Sequence, residues 1–203
     1  MKQLLLATRN KDKIDELLPL LAGIDMEVLT LSDFPQISET VEDADSFEGN
    51  ALKKAREAFV IARIPTLADD SGLEVHYLNR EPGVYSSRYA GPNARYADNC
   101  KKLLEKLRGV PPRRRAAQFR CVVAFIPGDG VHHLAEGTCP GVITESPRGN
   151  GGFGYDPIFL PTGYRATFAE MDFTLKNTLS HRAKAIQNIM PALRRLSEAT
   201  ILP

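Results

Sequence analysis

Along the chain the apolar residues switch between the spacing of a strand and that of a helix. Gln3 to Thr8 carries the run Leu4-Leu5-Leu6 and predicts a strand. It enters a helix in which Ile14, Leu17, Leu18 and Leu21 share one face, closed by Gly23. Glu27 to Leu31 predicts a second short strand, followed by an acidic loop. A helix from about Phe47 to Arg63 is carried by Leu52, Ala55, Phe59 and Ala62, and Pro65 enforces its stop. Thr66 to Ala68 predicts a short strand delivering Asp69-Asp70-Ser71-Gly72.

Beyond Leu73-Glu74-Val75 and a Pro82-Gly83 turn, Cys100, Leu103, Leu104 and Leu107 line one face of a third helix ending at Gly109. Ala117 to Ile126 and Val131 to Thr138 read as a hairpin around Pro127-Gly128-Asp129-Gly130. A loop, Gly149 to Gly154, precedes a strand at Pro157-Ile158-Phe159-Leu160. The last helix starts near Ser180, with Ile186, Ile189, Met190 and Leu193 at helical spacing and a kink expected at Pro191. Strands alternating with helices and interrupted by a hairpin predict an α/β protein with a mixed sheet.

Composition narrows the class. A chain of 203 residues fits one domain or a single two-lobed unit, and 43% apolar content fills a core without staples. Cys100, Cys121 and Cys139 are odd in number and lack C-x-x-C spacing, which reads as reduced thiols. The run after Lys2 is too short for a signal-peptide core, and nothing approaches the roughly 18 apolar residues of a membrane span. The expected place is the cytoplasm, with no membrane partner. Lys and Arg total 26 against 25 for Asp and Glu, which argues against a general nucleic-acid binder. Acidic residues gather at Glu39, Glu42, Asp43, Asp45 and Glu48, and basic ones at Lys176, His181, Arg182 and Lys184. These are two solvated faces, or the metal side and the phosphate side of one site.

Several short constellations carry chemistry, each beside a plainer reading. Thr8-Arg9-Asn10-Lys11-Asp12-Lys13 lies where strand meets helix, a natural anion site. Thr8 or Asn10 as a helix cap with solvated lysines is the alternative. Lysines in a first turn oppose the helix dipole by ~0.3–1 kcal/mol, and a bound phosphate reverses that sign. Asp69 and Asp70 alternate in side-chain direction if their strand persists, so a break at the turn is needed for both to face one cleft. Oxygen ligands of this kind suit magnesium; an Asx turn needs only their geometry.

Gly149-Asn150-Gly151-Gly152-Phe153-Gly154 fits G-x-G-x-x-G, but Tyr155-Asp156-Pro157 leads into an apolar β-like run instead of a helix, which excludes the dinucleotide fingerprint. Phe153 for stacking and Asp156 for hydrogen bonding is one reading of this loop, and a plain mobile loop the other. No G-x-x-x-x-G-K-[ST] pattern is present. Lys176 and Ser180-His181-Arg182 place cationic groups around the start of the last helix, toward an acceptor or toward solvent. His132-His133 reads as structural and Arg113 to Arg115 as a solvated loop.

In this order the pieces resemble the inosine triphosphate pyrophosphatase family, whose members hydrolyse non-standard purine nucleoside triphosphates. The resemblance spans nearly the whole chain. It rests on Thr8-x-Asn10-x-x-Lys13-x-x-Glu16, Ser46-Phe47-Glu48-x-Asn50-Ala51-x-x-Lys54-Ala55, Ala68-Asp69-Asp70-Ser71-Gly72-Leu73, Gly151 to Pro157 and Ser180-His181-Arg182-Ala183. It implies an α/β fold with a long mixed sheet flanked by helices, and two lobes with a substrate cleft between them. It also implies one pyrophosphatase domain over residues 1–203 and a homodimer. Thr8, Arg9, Asn10, Lys11, Asp12 and Lys13 would hold phosphates, although Arg9 stands where glycine is frequent. Asp70 would be general base and metal ligand, Ser71 would touch substrate, and Phe153, Gly154, Tyr155, Asp156, Lys176, His181 and Arg182 would bind the nucleotide. Glu42 matches the second metal ligand, ahead of Glu48 and Asp69.

The reaction expected from the resemblance is attack of water on the α-phosphorus of the inosine, deoxyinosine or xanthosine triphosphate. It would release the monophosphate and pyrophosphate, with Mg2+ between Glu42, Asp70 and the phosphates. Lys13, Lys54 and Lys176 would offset charge on the leaving group. Donors from His181 and Arg182 to the purine 6-keto oxygen would reject adenine, and Arg182→Ala should lower activity more than it harms folding. Alternatives are a pyrophosphatase for other nucleotides, a non-catalytic nucleotide sensor and, weakest, an RNA-binding module.

Overall fold

Leu4, Leu5 and Leu6 are almost wholly buried in a strand that has a neighbour on each side. In the computed structural model, which describes residues 2–198, β1 (Gln3–Leu6) runs parallel to both β2 (Glu27–Thr30) and β3 (Thr66–Val75), with Leu5 facing Leu29 on one side and Thr66 on the other. β4 (Ala116–Gly128), β5 (Val131–Ile143) and β6 (Phe159–Pro161) complete one sheet in the order β2-β1-β3-β4-β5-β6. β5 and β6 are antiparallel, so the sheet is mixed. The helices are α1 (Lys11–Leu21), α2 (Phe47–Ala62), α3 (Tyr96–Lys106), α4 (Phe173–Leu179) and α5 (His181–Glu198). The expected α/β class is the observed one.

The chain divides into two compact units, and each has its own core. The first comprises Met1–Asp70, Cys121–Gly137 and Arg182–Pro203. There Leu17 and Leu21 of α1 and Ile186, Ile189 and Leu193 of α5 pack with Leu4, Leu67, Val123 and Phe125 of the strands. The second comprises Ser71–Arg120 and Thr138–His181, and Leu103 and Leu107 pack there with Leu73, Val75, Phe119, Phe159 and Phe168. Burying one such side chain contributes about 1.5–3 kcal/mol. Most of the periodic residues are thus core residues; Leu18 is the exception, 40% exposed on the outer side of α1.

Four features differ from the expected pattern. β3 does not break at the aspartates; it continues unbroken to Val75. Its carboxylates stay in the strand because each is received by buried partners, described below. β5 runs on to Ile143, and Pro157-Ile158 lies in a tight 3-10 turn with the strand starting at Phe159. Helix α4 is capped by Asp172, whose carboxylate accepts from the amides of Thr174 at 2.8 Å and Leu175 at 3.4 Å.

Arg113 and Arg114 are exposed, as the reading of a solvated run expects, but Arg115 departs from it. It is buried, and its guanidinium donates to the carbonyls of Leu107 at 3.0 Å, Ile143 at 2.8 Å and Thr144 at 2.7 Å, closing the C-terminal end of α3. All three cysteines are buried thiols outside any disulfide, and burial pushes Cys100 and Cys121 up to about 12. Among the described residues no helix is long and apolar enough to cross a membrane.

Candidate active site

In the first unit, β1 turns into α1 through a short loop held by its own polar side chains. The Thr8 hydroxyl accepts from the Asn10 amide at 3.2 Å, and the Asn10 side chain caps the helix by accepting from the Lys13 amide at 3.2 Å. Arg9 donates to the Ile37 carbonyl at 2.8 Å. One turn into α1, Lys13 reaches Asp69 at 3.1 Å. The same Asp69 oxygen accepts from Arg182 at 3.3 Å, and Arg182 also donates to Glu16. Arg182, Asp69 and Glu16 are all nearly fully buried. Burial, the largest influence, pushes the Asp69 carboxyl up, but the charges of Lys13, Arg182 and Lys54 outweigh it and hold it well below the usual carboxylate range. Its other oxygen, Oδ1, is buried with no hydrogen-bond partner among the described residues.

Asp70 leaves β3 beside Asp69 and, by strand alternation, on the other face. Helix α2 supplies its partners. Asn50 Nδ2 donates to Oδ2 at 3.1 Å, and Lys54, one turn further on, donates to Oδ1 at 3.2 Å. Lys54 also meets Glu42 Oε1 at 2.8 Å. The acidic segment carrying Glu42 has no helix or strand of its own; α2 pins it. Lys53 donates to the Val41 carbonyl at 2.9 Å and to Asp43 at 2.6 Å, the Thr40 hydroxyl reaches Glu57 at 2.6 Å, and the Ala44 amide reaches Asn50 Oδ1 at 3.0 Å. Two carboxylates therefore share one ammonium. Burial raises the Asp70 carboxyl above its ordinary value; Lys54 and Lys13 oppose the shift and Glu42 adds to it.

In the second unit a different group forms around an aromatic cluster. Asp156 accepts from the Phe153 amide at 2.9 Å, which folds the glycine loop back on itself, and it pairs with Lys176. The Lys176 ammonium lies 4.8 Å from the centre of the Phe153 ring and 5.5 Å from that of Phe168, within range of a cation–π attraction. His181 stacks on Phe119 with ring centres 4.7 Å apart. Tyr155 is buried and donates to the Ser86 carbonyl at 2.9 Å, and the Gly154 carbonyl accepts from the Cys100 thiol at 3.3 Å. Ser71, half-buried, follows Asp70 along β3.

The geometry thus gathers Thr8, Asn10, Lys13, Lys54, Glu42 and Asp70 in the first unit, and Phe153, Asp156, Lys176 and His181 in the second. It gives other posts to three residues. Lys11 points to solvent and pairs with Asp15 at 2.6 Å, one turn along α1. Asp12 sits beside it in the helix's first turn. Arg182 is held between two carboxylates, so its loss should cost stability as well as activity: Glu16 would lose Arg182, and Asp69 would keep Lys13. Asn50, Glu16, Phe119 and Phe168 were not among the expected site residues. For Asn50 the signal was there, since it stands four residues before Lys54 on one helix face.

The chain matches the model of the Ham1 family over residues 4–192. It is 47% identical to a dITP/XTP pyrophosphatase of Desulforamulus reducens, covering 96% of each chain. It is 48% identical to the dITP/XTP pyrophosphatase of Geobacter sulfurreducens, over 92% of this chain and 94% of that one. Among solved structures, a HAM1 protein from Coxiella burnetii superposes with a TM-score of 0.87 at 38% identity, over 95% of this chain and 98% of that one. A nucleoside-triphosphatase / dITP/XTP pyrophosphatase from Mycobacterium abscessus gives 0.76 at 40%, over 93% and 99%.

Proposed function

Because this chain belongs to the Ham1 family, we propose that it hydrolyses non-standard purine nucleoside triphosphates (the inosine, deoxyinosine and xanthosine triphosphates) to the monophosphate and pyrophosphate. The observation that carries the reading is the arrangement of Asp70 and Glu42 about a single cation, with the Lys13 helix start in the same unit.

The donor set fits a divalent ion. Among the described residues no group of three ligating side chains forms, and two carboxylates is what magnesium takes when substrate phosphates and water fill its remaining positions. Glu42 and Asp70 would hold Mg2+, which when bound polarises phosphoryl oxygens and lowers the pKa of water. Asp70 orients the attacking water and accepts its proton. The new bond forms between that water oxygen and the α-phosphorus; the bond to the bridging oxygen breaks, and pyrophosphate departs with the electron pair. Lys13 and Lys54 offset the charge building on it.

Lys176, which the sequence reading put with the phosphates, is better suited to the base. It is buried against Phe153 and Phe168 and fixed by Asp156. Phe153 offers a ring for stacking, and Lys176 and His181 supply donors. A 6-keto purine accepts from such donors; adenine's amino group faces them with another donor, at a cost of about 1–3 kcal/mol per buried group left unmade. The resemblance extends the reading to a homodimer, which light scattering on the eluted protein checks.

The deciding assay measures pyrophosphate released from inosine, xanthosine, guanosine and adenosine triphosphates, with and without Mg2+, beside Asp70→Asn. Release from the first two that needs Mg2+ and disappears in the variant is expected. Binding without release would make the protein a nucleotide sensor.

A further inference from the structure

Resting on the reading of Glu42 and Asp70 as the carboxylates that hold the divalent ion, we propose that Lys54 is the resident cation of that position. It must be displaced before metal binds, so metal loads with the triphosphate and not ahead of it.

The ammonium already holds an oxygen of each carboxylate, Glu42 Oε1 at 2.8 Å and Asp70 Oδ1 at 3.2 Å. A divalent ion held by Glu42 and Asp70 would compete with the ammonium for the same carboxylates. Two cations drawn to one pair of oxygens repel each other, so metal binding there is favoured once the ammonium has left.

Lys54 has a reason to stay while the site is without nucleotide. Its side chain is only 11% exposed, and leaving would exchange two carboxylates for poorly solvated surroundings. A triphosphate changes this balance by bringing acceptors for the displaced ammonium and further ligands for the metal. Asp70 keeps its place throughout, because Asn50 grips Oδ2 at 3.1 Å and is itself tied to the Ala44 amide at 3.0 Å. Only the partner of Oδ1 changes. Metal and nucleotide then raise each other's affinity by one factor, as linkage requires.

The test titrates Mn2+ into the whole protein and follows the free ion by electron paramagnetic resonance, with and without a non-hydrolysable α,β-imido inosine triphosphate. Wild type should bind Mn2+ weakly alone and at least about tenfold more tightly with the analogue. Lys54→Met and Lys54→Gln should bind Mn2+ alone at least about tenfold more tightly than wild type alone, with a correspondingly smaller gain from the analogue. Lys54→Arg should stay weak. Lys13→Met removes the same charge from beside Asp69 and separates displacement from a general field effect; it should move the affinity far less. Circular dichroism shows which variants fold, and the glutamine variant reads the result if the methionine variant does not fold. Equal effects at Lys13 and Lys54, unchanged affinity in the Lys54 variants, or tight Mn2+ binding by wild type alone would overturn the proposal. A Glu42→Gln variant that binds Mn2+ with the analogue as tightly as wild type would instead remove the carboxylate assignment, and this inference with it.

Discussion

Asp69 and Asp70 are neighbours in one strand, and their carboxyls are driven in opposite directions. Burial pushes both up. Around Asp69 the cations of Lys13, Arg182 and Lys54 outweigh it; around Asp70 the nearby Glu42 reinforces it, and Lys54 and Lys13 do not cancel it. Asp69 is therefore a permanent anion that organises positive charge, whereas Asp70 can take up and release a proton. The pleat of a single strand separates the two duties.

That separation predicts the acid limb of the rate profile. Asp70 must be ionised to accept a proton from water, and its carboxyl is raised above the ordinary value of about 3.9. kcat/KM should therefore fall, as pH is lowered, through a midpoint above that of an exposed aspartate. Asp70→Asn should lose about 10²–10⁴-fold in kcat and keep no such limb. A midpoint at or below about 3.9 would contradict the raised carboxyl, and an acid limb that persists in Asp70→Asn would contradict the role given to Asp70.

Asp69 predicts the pH dependence of stability, with the opposite sign. Its folded carboxyl is depressed, so its contribution is fully present above the unfolded value of about 3.9 and is lost as pH falls toward the folded value. Asp69→Asn leaves Arg182 and Lys13 short of a counter-charge, at a cost of about 3–5 kcal/mol near neutral pH. Urea denaturation of both proteins should show the gap narrowing below about pH 4, where the wild-type residue begins to lose its advantage.

Local and non-local information explain what could be read in advance. The helices α1, α2, α3 and α5 announce themselves because their apolar faces repeat within a few residues. The pairing of Asn50 and Lys54 toward Asp70 lies within one helix turn. The length of β3 is not legible locally, because a pair of aspartates reads as a turn, and one of the two cations that keep Asp69 in the sheet, Arg182, lies 113 residues away. Glu16, which fixes Arg182 from the other side, is 166 residues away from it. Arg115 is hidden by the same logic, since the carbonyls that draw it inward sit at Ile143 and Thr144. Helix α4, with seven residues, is too short for a period to show.

Arg182→Ala follows from these distances. The change should cost about 3–5 kcal/mol of stability, because Glu16 and Asp69 stay buried without their shared cation. A fall in urea midpoint should accompany any fall in activity. Activity lost at unchanged stability would return Arg182 to direct contact with the base.

The glycine loop of the second unit offers a matched pair of changes. Gly152 and Gly154 both have left-handed backbones, at φ 67° and 61°, so alanine at either carries a strain of about 1–2 kcal/mol. They differ in what a new methyl would meet. At Gly154 nothing lies within 4 Å, whereas at Gly152 it would fall on the carboxylate of Asp156, with Cγ at 2.9 Å. Gly152→Ala must therefore push Asp156 off the Phe153 amide and off Lys176, loosening the ring and the ammonium together. Gly154→Ala has only the backbone strain. If this loop holds the base, Gly152→Ala should raise KM for inosine triphosphate at least about tenfold beyond Gly154→Ala, roughly the 1.4 kcal/mol of one charge-assisted contact. kcat, set by Asp70, should change much less. Steady-state kinetics on the two variants, with urea midpoints to equalise for folding, measure the difference; equal KM values would take Asp156 out of substrate binding.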